Sequence, residues 1–346
     1  MKHQTTRYGE IPFYKIGTFG NTADAFISKK LFLEYKTKYS FPKKGDILIS
    51  ASGTIGRAVI YDGKPAYFQD SNIVWIDNDE TLVKNDFLFY AYSNVKWNTE
   101  HTTILRLYND NFRNTLIPLP PLNKQNAIAN ILSGLDRYLC ALDALILKKE
   151  GVKKALSFEL LSQRKRLKGF NQAWQRVRLG DIANYLTSNL SVEQITQQGK
   201  IKVYDANNFI GYTDTTFISD KPYISIIKDG SVGRVRILPP KTNILSTMGA
   251  LIANHRTTTE FLFYLLSNFD FKNFTSGSII PHIYFKDYKE KTIFLPSLNE
   301  QIAIANILSA LDKEIASLKN KKRQFENIKK ALNHDLMSAK IRVLKK

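Results

Sequence analysis

The sequence predicts an α+β protein: two mixed α/β segments in tandem, each followed by a long helix. The two helices are expected to pair as an antiparallel coiled coil about a pseudo-twofold axis. Three observations carry this. "LPPLNKQNAIANILSGLD" at residues 119–136 returns as "LPSLNEQIAIANILSALD" at residues 295–312, with 14 of 18 positions identical. Behind each copy, apolar residues recur every three or four positions, the period of a helix face. Ahead of each copy, short β-branched and aromatic runs alternate with Gly, Asp and Asn, the pattern of strands and turns.

The repeat defines the organisation. Its period of 176 residues is too long for a solenoid and corresponds to a whole two-part unit. At the same offset "KKAL" recurs at residues 153–156 and 329–332. Upstream, "GTIGR" at 53–57 parallels "GSVGR" at 230–234, and "FLFYAYSN" at 87–94 parallels "FLFYLLSN" at 261–268. The expected parts are a first globular segment (1–118), a first spacer helix (119–168), a second globular segment (169–294) and a second spacer helix (295–346). "DILISASG", "AVIYDGK" and "NIVWID" read as strands of the first segment. The two "FLFY" stretches read as one short helix in each half.

Asn123 and Asn299 are the expected helix N-caps, each preceded by Pro and Leu that end an incoming strand. In the first helix Leu132, Leu135, Leu139, Leu142, Ile146, Leu156 and Leu160 keep a 3–4 spacing. Leu308, Leu311, Ile315, Leu318, Phe325, Leu332 and Leu336 do so in the second. Such a seam over about four heptads is that of a coiled coil. Lys149 and Lys322 interrupt it, and Gly151 is a place for a bend. A helix of roughly 40–46 residues would be about 60–70 Å long at 1.5 Å per residue. Its stripe cannot be buried against its own loop, so the twin helix is the expected partner. The tail "KKRQFENIKK" reads as a solvated helix face.

Composition narrows the partners. The 346 residues carry a formal charge of +19, which favours a polyanion such as nucleic acid. The single cysteine, Cys140, sits on the apolar stripe, and one cysteine excludes a disulfide framework. "MKHQTTRYGE" has no apolar run behind its charges, and no stretch approaches the ~20 apolar residues of a spanning helix. A cytoplasmic protein with no membrane partner is expected.

Base edges are read by guanidinium, amide and hydroxyl groups, and phosphates are held by basic and small polar groups. The paired glycine loops offer both: Ser52, Thr54 and Arg57 in one, Lys228, Ser231 and Arg234 in the other. The same glycines also suit a plain turn with an exposed arginine, and both readings stand. Arg106, Asn109 and Asn111 in "NDNFRN" and its approach form a second group, with Ser278, His282, Tyr284 and Lys286 in "SGSIIPHIYFK". Asn207 and Asn208 have adenine-reading chemistry, although asparagines in a turn explain them as well.

Catalytic signatures are missing. No GxxxxGK[ST] phosphate loop is present, and no methyl-donor motif. His3, His101, His255, His282 and His334 show no metal-ligand spacing. Asp46 with "DGK" at 62–64 loosely echoes a metal-dependent nuclease core, but "YDGK" is a stronger hairpin-turn signal. No metal site is therefore expected.

The doubled "PLPPLxxQ…IAxxLxxLD" element, with a long helix behind each copy and "WQRVRLGDIA" at 174–183, resembles the specificity (S) subunit of type I restriction-modification systems. The resemblance spans almost the whole chain. It implies that each globular segment is a target-recognition domain reading one part of a split DNA sequence. It further implies paired helices that set the spacing and dock two methyltransferase subunits, with restriction-motor subunits joining through the complex. This chain would then be non-catalytic and hold no cofactor, the partners using S-adenosylmethionine, Mg²⁺ and ATP. Helix length would act as a ruler, one turn of 5.4 Å amounting to one or two base pairs. No first copy of "WQRVRLGDIA" exists, so the first recognition domain is expected to be shortened at its N-terminus. A nonspecific nucleic-acid-binding scaffold and an inactive truncated allele are the alternative readings.

Overall fold

The pattern of apolar runs resolves into two compact units, one of residues Met1–Asp143 with Asn320–Lys346 and one of Ala144–Lys319. A computed structural model describes residues 4–68, 72–97 and 106–343. His3 and His101 lie outside these described residues.

In the first unit β1 (Ile11–Tyr14), β2 (Ala25–Ile27), α1 (Lys29–Lys38), β3 (Ile47–Ser50), β4 (Ala58–Ile60), β5 (Tyr67–Phe68) and β6 (Ile73–Trp75) precede α2 (Asn85–Tyr92) and α3 (Asn109–Arg113). The strands form two three-stranded sheets, β2-β1-β5 and β4-β3-β6. The three expected strand runs are β3, β4 and β6. The α1 helix was not foreseen: only Phe32 of it is buried, so its apolar signal is thin, but Ser28 caps it by accepting from the Leu31 N–H. "YDGK" does form a turn, with Gly63 at φ +86° and the Lys64 N–H bound to Asp62. It links β4 to β5, which belong to different sheets, so the expected hairpin is not formed.

The long helix α4 (Leu122–Leu161) leads from the first unit's residues into the second's. There β7 (Gln175–Arg178), β8 (Ala183–Thr187), β9 (Ile201–Tyr204), β10 (Phe209–Thr213), β11 (Tyr223–Ile227), β12 (Val235–Leu238), β13 (Thr242–Ile244) and β14 (Met248–Ala253) precede α5 (Thr259–Ser267). Then come β15 (Thr275–Ser276), β16 (His282–Ile283), α6 (Phe285–Tyr288), β17 (Thr292–Leu295) and the second long helix α7 (Leu298–Met337). The sheets β10-β9-β13 and β12-β11-β14-β8 match those of the first unit, with one strand more. The extra strand β8, and β7, which pairs with β17, come from residues 174–187, the stretch with no first copy.

Both long helices run 40 residues without a break, Gly151 included. Neither expected asparagine is a cap. The helices start one residue earlier, and the first bonds reach the carbonyls of Pro121 and Ser297, so Asn123 and Asn299 already lie inside the first turn. Within each unit the beginning of one helix packs antiparallel to the end of the other. The seam residues Leu132, Leu142, Ile146, Leu308 and Ile315 are buried, and Leu135, Leu139, Leu156, Leu311, Leu318, Phe325 and Leu332 half-buried. Tyr138 tilts against Phe325 at 4.7 Å in the first unit. The seam lysines are satisfied by acids of the facing helix: Lys149 by Glu314 at 2.8 Å and Lys322 by Asp143 at 2.7 Å. The tail is thus not wholly a solvated face, since Lys322, Phe325 and Lys329 turn to the twin helix. Cys140 is exposed rather than on the stripe.

Candidate nucleic-acid interface

The repeated motifs first build the scaffold of the site. Gln125 and Gln301, in the first turn of α4 and α7, are buried. Gln301 accepts from the Thr258 N–H at 3.0 Å and from Thr257 Oγ1 at 2.9 Å, and donates to the carbonyls of Arg256 and Pro296. Gln125 repeats this with the Lys84 N–H and the carbonyls of Leu82 and Pro120. Each glutamine therefore ties a long helix to the start of the short "FLFY" helix. These two residues were missed as functional elements, although their recurrence at a fixed offset was the available signal.

The glycine loops hang from β3 and β11. Gly53 and Gly56 take φ of +69° and +79°, Gly230 and Gly233 of +83° and +82°, a left-handed region that favours glycine. The glycines are thus structural, and the polar residues between them point outward. Thr54, Arg57, Ser231 and Arg234 are exposed and Lys228 half-buried. Arg57 reaches back to the Phe19 carbonyl at 3.0 Å, which fixes its guanidinium beside the loop.

Each loop is bridged to the second candidate group of its own unit. In the first, Ser52 pairs with Arg106 through an isolated β-bridge, and Asn72 Oδ1 accepts from Ser52 Oγ at 2.8 Å and Arg106 Nη2 at 3.2 Å. In the second, Asp229 pairs with His282 in the same way, and the Gly230 and Ile283 N–H groups bond to the Pro281 and Lys228 carbonyls. His282 Nδ1 lies 2.6 Å from Asp229 Oδ1. A carboxylate only accepts, so Nδ1 carries the hydrogen and Nε2 is left as the ring's other polar atom. Tyr284, exposed, stacks beside His282 at 6.4 Å, with Lys286 over its ring at 5.5 Å. Asn72 and Asp229 went unnoticed in the sequence, because nothing local distinguishes a side chain that braces another from one in a turn.

Other candidates are placed differently. Asn111 is buried in α3, where its Oδ1 accepts from the Tyr108 N–H at 2.6 Å, so its carbonyl oxygen is committed to a cap. Asn109 and Ser278 are exposed. Asn207 and Asn208 sit in an Asx turn, both N–H groups donating to Asp205 Oδ1 at 2.7 and 2.6 Å, with their side chains exposed. Asp46 is buried and accepts from the Lys43 N–H. Among the described residues no cluster of three His, Cys, Asp or Glu could hold a metal ion. No described helix is long and apolar enough to cross a membrane.

Comparisons with known proteins follow this architecture. The family model "Type I restriction modification DNA specificity domain" matches residues 1–149 and again 171–327. The type I restriction enzyme MjaVIII specificity subunit of Methanocaldococcus jannaschii is 25% identical over 362 residues, covering 92% of this chain and 84% of the relative. S.HindORF215P of Haemophilus influenzae, described as a type I restriction enzyme specificity subunit, is 64% identical over 137 residues. That match spans 39% of this chain and only 36% of the relative's length. Among solved structures, the type I restriction-modification S subunit of M. genitalium superposes with a TM-score of 0.63 at 21% identity, covering 97% of this chain and 91% of that one, a likeness of fold.

Proposed function

Because the chain belongs to the type I restriction-modification DNA specificity family, with two tandem specificity domains, we propose that each unit offers its bridged glycine loop to one half of a split DNA target. The observation that carries this is the recurrence of one scaffold with different side chains on it. Ser52 and Arg106 are braced by Asn72 in the first unit, and His282 is braced by Asp229 in the second. Equal geometry with unequal chemistry suits an asymmetric bipartite target, whereas a binder indifferent to sequence has no use for the difference. Arg57, Arg234 and Lys228 are the phosphate or guanine ligands, and Tyr284 and Lys286 flank His282.

In this reading the chain itself catalyses nothing and holds no cofactor. Two methyltransferase subunits dock on the paired helices and bring S-adenosylmethionine, and restriction-motor subunits bring ATP and Mg²⁺ chemistry. The uninterrupted 40-residue helices supply the ruler. Co-expression with a type I methyltransferase subunit of the same genome, in a host without adenine methylation, followed by sequencing of modified bases, tests the reading. A split motif methylated in both parts is the expected result. Methylation governed by one half-site alone would remove the first unit from the proposal. A stable complex with no sequence-selective methylation would favour the nonspecific scaffold or the inactive allele. Four-residue deletions in both helices should change the spacer and leave each half-site intact.

A further inference from the structure

The duplication lets every contact between α4 and α7 be compared with its repeat mate 176 positions away. One contact recurs unchanged. Lys153 binds Asp312 in the second unit, and Lys329 binds Asp136 in the first. The two helices therefore share one register, and each offers the other a face much like its own. Geometry alone would let α4 pair with α7 or with the α4 of a second copy.

Other contacts do not recur, and they remove that ambiguity. In the second unit Lys149 binds Glu314 at 2.8 Å. The repeat mates of this pair are Phe325 and Tyr138, whose rings meet at 4.7 Å in the first unit. An ion pair in one unit is thus an aromatic pair in the other. Lys319 binds Glu150 at 2.6 Å, but their mates are the acids Asp143 and Glu326. Lys322 holds those two acids together, at 2.7 and 3.5 Å, and its own mate is Ile146.

Exchanging each residue for its mate shows what like helices would meet. Two α4 helices set Glu150 of each copy against Asp143 of the other, with neither Lys319 nor Lys322 between them, and turn Lys149 toward Tyr138. Two α7 helices set Lys322 against Lys319, leave Glu326 to serve both, and turn Glu314 toward Phe325. Like charges facing each other across a helix pair oppose it, and such charges set partner choice. A single half-exposed ion pair contributes little, so the selectivity comes from the whole set.

We infer that the charge pattern of α4 and α7 restricts each helix to the unlike helix as its partner, so that two copies of the chain do not assemble through like helices. A like-helix pair would join two copies of one globular segment, whereas the unlike pair joins one of each. The inference concerns pairing alone and holds whatever target the segments read.

Lys153 and Lys329 report the pairing directly, because the acid each one meets identifies the facing helix. Unlike helices give 153–312 and 329–136 contacts; like helices give 153–136 and 329–312 contacts between copies. Isotope-labelled and unlabelled copies of the chain are mixed unfolded, refolded at high concentration and coupled lysine-to-carboxylate with a zero-length carbodiimide. Mass spectrometry then reads the linked peptides. In the unaltered chain the unlike-helix links should exceed isotope-mixed 153–136 and 329–312 links at least about tenfold. Comparable amounts would overturn the proposal without any variant. Glu150→Lys/Lys319→Glu keeps the pair between α4 and α7 with its charges exchanged, but turns the repulsion between positions 150 and 143 of two α4 helices into attraction. Its melting temperature should stay close to that of the unaltered chain, while isotope-mixed 153–136 links rise about tenfold. No rise at an unchanged melting temperature would equally overturn it.

Discussion

The Tyr264 hydroxyl donates to Asp312 Oδ2 at 2.8 Å, and Lys153 from the facing helix binds the other oxygen of that carboxylate while lying 5.8 Å over the Tyr264 ring. The first unit repeats the arrangement with Tyr90, Asp136 and Lys329. The tyrosine comes from "FLFY", the aspartate from the end of the duplicated element and the lysine from "KKAL". Three motifs that look unrelated along the chain are thus one contact that locks the short helix to both long ones.

Removing the hydroxyl isolates its contribution. Tyr264→Phe should cost about 1.5–3 kcal/mol, the range for a hydrogen bond to a charged partner. Tyr90→Phe should behave alike. A shift in the urea midpoint with an unchanged slope is the expected readout. No shift in either variant would mean the lysine alone holds the aspartate.

Alkaline pH should loosen the same contacts. Burial first, then the hydrogen bond to the aspartate, raises the Tyr90 and Tyr264 hydroxyls well above the ordinary tyrosine value, and burial lifts Tyr223 to about 12. Below about pH 10 these hydroxyls are neutral whether the chain is folded or not, so their contribution is whole. Above it only the unfolded chain ionises freely, and stability falls as pH climbs toward the folded-state values. Melting temperatures from pH 9 to 11.5 should drop, and drop less steeply in the Tyr90→Phe/Tyr264→Phe double variant. Parallel curves would remove these two residues from the alkaline response.

The two glycines of the second loop should differ in sensitivity. A Cβ on Gly233 would meet the Phe271 ring at 2.6 Å, while one on Gly230 meets nothing within 4 Å. Both have positive φ, so alanine strains the backbone at each by roughly 1–2 kcal/mol. Gly233→Ala adds a clash with a buried ring and should be the more destabilising by thermal denaturation. Gly56→Ala, against Trp97 in the first unit, should resemble Gly233→Ala.

Gln301→Ala should be costly because it strips partners from backbone groups it cannot replace. The Thr258 N–H and the Arg256 and Pro296 carbonyls would each lose a bond. A buried group left unpaired costs about 1–3 kcal/mol, so a loss of at least about 2 kcal/mol is expected in chemical denaturation. A loss below half that would mean water takes over the vacated bonds.

If Arg57 and Arg234 meet phosphates, alanine at either should flatten the dependence of log K on log salt by about 0.9 in duplex binding. Should either instead contact guanine, the salt slope changes little and selectivity at one base pair relaxes. Binding titrations over a salt series with cognate and scrambled duplexes separate the two.

What the sequence determined by itself is everything periodic or repeated: the duplication, the helix seam, the strand runs and the turn glycines. The seam, the strand runs and the turn glycines depend on neighbours within about ten positions, so local spacing carries them, and the duplication shows because the same letters return 176 positions on. The helix caps escaped by two residues, because the first acceptor carbonyls belong to Pro121 and Ser297 and backbone groups leave no mark on side-chain pattern. Helix α1 escaped because a helix burying a single residue has little stripe to read. Only the tertiary structure decided which polar residues brace and which are exposed. Asn111 is spent on a cap, Asn72 joins Ser52 to Arg106, and Asp229 holds His282 from 53 positions away. The pairings of Asn72 and Asp229 are set by how strands and loops meet in space, across 20 to 53 positions, so no short window along the chain contains both partners. The same holds for Leu119 and Leu295: identical letters in identical motifs, one exposed and one buried, because burial is a property of what lies on top.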